Sequence, residues 1–117
     1  MSGRRIFLGA FSILLGAASA SAQSDTFSAN QVVRGCRVVA SKATPGELLM
    51  LSGVCFGMVR ALANLPDRLF GYCVPRGVTT EQAMRVAVTY VDRNPHRSHE
   101  QFDALVVQAF QAAWPCR

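Results

Sequence analysis

Apolar residues recur at intervals of three and four in four separate stretches of this chain, the pattern of helices that each bury one face. The first stretch covers about residues 29 to 40 and sets Ala29, Val32, Val33, Cys36 and Val39 or Ala40 on one side. The second covers about 46 to 64 and follows Pro45, a residue suited to a helix start. From Leu48 to Val59 its only hydroxyl is Ser52, so it is expected to be buried on most of its circumference and to form the centre of the fold. Gly53, Gly57 and Ala61 recur every four residues along it, and we read them as close packing within the chain in preference to a seam between two copies. The third stretch, about 80 to 93, turns Ala83, Val86, Ala87, Tyr90 and Val91 inward. The fourth, about 99 to 113, does the same with Phe102, Leu105, Val106, Ala109, Phe110 and Ala113.

Three of these helices open on one local cue. Ser28-x-x-Gln31, Thr79-x-x-Gln82 and Ser98-x-x-Gln101 all fit the capping box, in which a hydroxyl accepts from the third helical N–H and a glutamine reaches back. No segment alternates as a strand would, so the pattern predicts an all-α fold, a small four-helix domain. The turn NPHRS is short enough to force the third and fourth helices antiparallel, which brings Cys116 beside Cys73. Cys36 and Cys55 lie on apolar faces of neighbouring helices. Four cysteines allow three pairings, and this geometry favours Cys36 with Cys55 and Cys73 with Cys116.

Disulfides require an oxidising compartment, and the N-terminus is consistent with one. Arg4 and Arg5 precede the apolar run IFLGAFSILLGAA, followed by two overlapping Ala-Ser-Ala sites, so residues 1 to 22 read as a secretory signal peptide and 23 to 117 as the mature domain. The run falls short of the roughly 20 residues that span a bilayer, so no membrane anchor is expected after cleavage. RRIFL also resembles a twin-arginine signal; with no cofactor motif to require folding before export, the general secretory route is favoured. The net charge of +5 comes from residues spread along the chain with no basic block, which argues against nucleic acid as a partner.

Catalytic constellations are not evident. His96 and His99 form H-x-x-H across a turn and a helix start, where exposed turn histidines are the plainer reading than a zinc site. Ser98 is better used as a cap than as a nucleophile beside His99, and Glu100 and Asp103 fall on a polar face. No catalytic, cofactor or metal residues are therefore assigned, and the chain is read as a binding protein rather than an enzyme. Its candidate surface is the irregular connection NLPDRLFGYCVPRGVT, where Arg68, Leu69, Phe70 and Tyr72 cluster. Phe70 and Tyr72 are equally well read as covering the core beside Cys73.

The C-terminal half resembles a known family. CVPRGVT from Cys73 to Thr79, NPHRSH from Asn94 to His99 and the terminal WPC from Trp114 to Cys116 are similar to the motifs of the Rap/Tai immunity proteins. CFGMVRALAN from Cys55 to Asn64 resembles that family's central helix, with Met58, Ala61 and Asn64 where Tyr, Gly and Asp are expected. The resemblance implies a periplasmic, helical, non-enzymatic and often dimeric protein. Such a protein blocks a peptidoglycan amidase delivered by type VI secretion, using inserted surface elements. A periplasmic acid-stress chaperone, similar in size and helicity, is the alternative.

Overall fold

The computed structural model describes residues 27–38 and 46–117. The proposed signal peptide, and Val39 and Ala40 at the expected end of the first helix, lie outside the described residues. Four α-helices follow in order: α1 (Ala29–Val38), α2 (Gly46–Ala63), α3 (Thr80–Arg93) and α4 (Phe102–Ala113), with a 3-10 turn at Pro95–Arg97 between the last two. Among the described residues there is no strand, only isolated bridges pairing Ser28 with Gln101 and Tyr72 with Pro115. The chain is all-α, as its periodicity predicts.

Helix α4 anchors the core, burying Phe102, Leu105, Val106, Ala109 and Phe110 against Val32 and Cys36 of α1, Cys55 and Val59 of α2, and Ala83, Ala87 and Val91 of α3. Two positions differ from the expected faces. Met84 is buried on α3, whereas Ala113, the last residue of α4, is exposed. Both disulfides take the expected pairing, Cys36 with Cys55 and Cys73 with Cys116, with Cα atoms 5.4 and 5.0 Å apart. In the chain-entropy account they add about 3 and about 4 kcal/mol, which matters for a domain with so small a core.

The tight helix contact lies elsewhere than the glycine stripe suggested. A Cβ on Gly35 of α1 would collide with the backbone of Leu51 and Ser52 in α2, so these helices touch main chain to main chain there. A Cβ on Gly53 or Gly57 would meet nothing within 4 Å. The expectation that α2 is buried nearly all round is also corrected: only Leu51, Cys55 and Val59 are buried, one narrow seam at i, i+4, i+8. Leu49 and Met50 are 63% and 59% exposed and Phe56 is 39% exposed. The physical reason is placement: α1 and α3 occupy one side of α2 and no element of the described residues crosses the other. By length and composition α2 could cross a membrane, but its buried seam and the Cys55 disulfide hold it in the bundle.

The capping boxes fare unequally. Thr79 Oγ1 accepts from the Gln82 N–H at 3.1 Å and opens α3 as expected. Ser98 does not cap α4: its hydroxyl donates to the Pro95 carbonyl, and α4 begins only at Phe102. The segment has a different use. The carbonyls of Glu100 and Ser98 accept from the N–H groups of Ala29 and Asn30 at 2.9 and 2.8 Å, satisfying donors at the start of α1 that a helix leaves open.

Candidate functional site

Two regions outside the α-helices are fixed by side-chain hydrogen bonds: the connection between α2 and α3, and the turn before α4. In the connection the chain leaves α2 through hydrogen bonds from Asn64, whose amide side chain donates to the Arg60 carbonyl at 2.7 Å. It then folds into a compact loop at Pro66–Tyr72. The Leu69 N–H donates to Pro66 O at 3.2 Å, Gly71 N–H to Arg68 O at 3.3 Å and Arg68 N–H to Tyr72 O at 3.1 Å. Gly71 adopts φ 78°, which costs glycine little. Arg68 adopts φ 71°, the left-handed region that costs a residue with a Cβ roughly 1 to 2 kcal/mol.

The C-terminus offsets that cost by fastening the loop. Cys73 N–H donates to Trp114 O at 2.8 Å beside the Cys73–Cys116 bridge. The Arg68 guanidinium donates to the Arg117 carbonyl at 2.9 Å, and Gln111 of α4 donates its side-chain N–H to Phe70 O at 2.7 Å. The terminal cysteine thus stops the chain end from fraying and makes it a brace for the loop.

Of the four residues the sequence grouped here, the structure brings three to the surface. Arg68 is exposed at the bend, and Leu69 and Phe70 stand 58% and 47% exposed. Tyr72 goes the other way: it is 3% exposed, its hydroxyl donates to Leu62 O at 2.6 Å, and its ring meets Phe110 edge-on at 5.3 Å. Burial raises its pKa. For Tyr72 the core reading therefore holds, and its role is to root the loop on α2 and α4.

The second region is an electrostatic clasp. Arg97 donates to both carboxylate oxygens of Glu100, at 2.6 and 3.0 Å, and to the Tyr90 hydroxyl at 3.1 Å, which in turn reaches Gln108 of α4 at 3.3 Å. Hydrogen bonding from Arg97 lowers the Glu100 pKa, and the same pairing raises that of Arg97. The sequence places Glu100 with Asp103 on the polar face of the fourth helix, but α4 begins only at Phe102, and the 3-10 turn at Pro95–Arg97 brings Glu100 to Arg97 instead. His96 and His99 are both exposed on this turn, and among the described residues no three potential ligands gather to hold a metal ion.

Neither region holds a nucleophile with a base, and what both offer is shape. The family model for Rap1a immunity proteins matches residues 28–116, a span running from the residue before α1 to the terminal cysteine. The chain belongs to the Rap1a immunity protein family. Its function is therefore immunity to a protein toxin, exercised by inhibition and not by catalysis. The match takes in all four helices, both disulfides and the braced loop, so each of these belongs to the Rap1a domain. No curated protein and no solved structure matches the chain.

Proposed function

We propose that this Rap1a protein is of the Rap/Tai type: it binds a peptidoglycan amidase delivered by type VI secretion and obstructs its active site. In this reading residues 1–22 are removed on export and residues 23–117 fold in the periplasm, where the two disulfides can form. The observation that supports it most is the braced loop. A residue held in a left-handed conformation by surrounding bonds is a hallmark of functional segments, and Leu69 and Phe70 project from it on a base that does not have to be ordered on binding. The test is a binding and lysis assay with the cognate small amidase. Leu69→Ala with Phe70→Ala is expected to weaken binding at least about thirtyfold, the effect of losing a hot spot, with helicity unchanged. Equal inhibition by the variant would remove the loop from the interface. Client binding at low pH with no amidase affinity would favour the chaperone alternative.

The same reading includes a second copy of the chain seated on α2. The outward half of that helix carries Leu49, Met50 and Phe56 around the open positions Gly53 and Gly57. A two-fold antiparallel pairing centred near Gly53 would bring Glu47 of one copy toward Arg60 of the other, and these are charged residues at opposite ends of the face. A helix of 18 residues is about 27 Å long, and two such half-faces bury on the order of 1,000 Å², the lower bound for a specific interface. Sedimentation equilibrium should give a dimer for the wild type and a monomer for Phe56→Glu. A monomer for both would leave α2 without this role.

A further inference from the structure

Helices α3 and α4 leave between them an open groove of about 400 Å³. Its floor is Val86 of α3 with Ala109, Ala112 and Ala113 of α4, and its rim carries Arg85 and Arg93. Three alanines on one helix make an unusually shallow floor, low enough for a third helix to approach at the close end of ordinary packing distances. The two arginines stand eight positions apart on α3, about 12 Å along the axis. The two ion pairs among the described residues join Arg37 to Asp92 and Arg97 to Glu100, and use neither of them. Arginine recognises carboxylates with a planar fork and is enriched at protein interfaces.

We propose that this groove receives an amphipathic acidic helix of the protein partner, with carboxylates about 12 Å apart engaging Arg85 and Arg93 and a small apolar side chain resting on the alanines between them. The groove and the braced loop flank the same last turn of α4. Gln111 of α4 holds Phe70 O on one side of the last turn, while Ala112 and Ala113 line the groove on the other. One partner can therefore touch both, the loop supplying apolar anchors and the groove supplying charge selection. The identity of that partner as the toxin rests on the function proposed above, and the groove's preference for acidic helices does not.

Two measurements separate these claims. In the first, isotope-labelled oxidised protein is titrated with a stapled helical peptide bearing two glutamates eight positions apart around a central alanine, and with its glutamine counterpart. Saturable amide shifts are expected along α3 from Gln82 to Arg93 and in the last turn of α4. The glutamine peptide should bind at least about tenfold more weakly, as should Arg85→Glu with Arg93→Glu, since charge complementarity sets the preference. Equal affinity for the two peptides, no saturable shift with the glutamate peptide, or shifts elsewhere on the surface would overturn the proposal. In the second, association with the amidase is followed at rising salt for wild type and for Arg85→Ala with Arg93→Ala. The variant should associate about tenfold more slowly at low salt, with the gap closing at high salt. A wild type that binds no amidase defeats the toxin reading while the peptide result still decides the groove. Equal association rates at every salt concentration defeat the groove as a toxin contact and leave the loop reading standing.

Discussion

Replacing Gly35 by alanine should destabilise this protein even though alanine is the better helix former. Gly35 lies inside α1, is buried, and has the α2 main chain at Leu51 and Ser52 where a Cβ would stand. Backbone atoms cannot rotate away as a side-chain tip can, so the helices must separate. The Cys36–Cys55 disulfide opposes that movement, because it joins the same two helices at the adjacent residue. Overpacking costs about 1 to 3 kcal/mol, and the rigidity of this contact places the change at the upper end. The gain in helix propensity returns about 1 kcal/mol. A net loss of about 2 kcal/mol follows, on the order of 10 °C in thermal midpoint for a domain of this size. Gly57→Ala is the control, since its Cβ meets open space; there the propensity gain stands alone and the midpoint should rise by a few degrees. Thermal unfolding followed by circular dichroism, on oxidised protein dilute enough to be monomeric, reads both. A neutral or stabilising Gly35→Ala would refute the main-chain contact between α1 and α2.

Tyr72→Phe keeps the ring against Phe110 but leaves the Leu62 carbonyl only the long 3.5 Å bond from the Leu65 N–H, and should cost about 1 kcal/mol in chemical denaturation; no loss would mean that the Tyr72 hydroxyl adds nothing to what already satisfies that carbonyl. Cys73→Ser with Cys116→Ser should cost about 4 kcal/mol, against about 3 for Cys36→Ser with Cys55→Ser. Hydrogen exchange should quicken first at residues 68 to 73 in the former pair, and unchanged protection there would show the loop to be independent of the chain end. The lowered Glu100 pKa makes its contribution present above the ordinary carboxylate range and lost as pH falls through the folded value. Between about pH 5 and pH 3 the thermal midpoint of wild type should therefore fall further than that of Glu100→Gln, and parallel curves would show the clasp to be without thermodynamic weight.

Much of this protein is fixed by local chemistry, and the sequence reports it faithfully. Helix starts at Thr79 and Gly46, the buried faces of α1 and α4, and the disulfide pairing all follow from spacing, because a short turn between two helices leaves one antiparallel arrangement and hence one neighbour for Cys116. The family motifs read in the same way, since CVPRGVT and WPC sit at the two ends of one disulfide. What the sequence leaves undecided is which side of an all-apolar helix meets the core. Leu49 and Leu51 are equally apolar, and only the position of α1 and α3 makes one exposed and the other buried. Likewise Ser98 is a sound helix cap in isolation, yet the carbonyls around it are drawn to the start of α1, so the turn winds as a 3-10 helix and α4 starts three residues later than its periodicity suggests. Phe70 and Tyr72, on either side of Gly71 at φ 78°, part company because one stays exposed while the other packs its ring on Phe110 of α4 and bonds its hydroxyl to Leu62 O. Periodicity describes a residue against its own helix, whereas exposure is set by contacts between elements distant in sequence, and the candidate binding surfaces of this protein arise from those contacts.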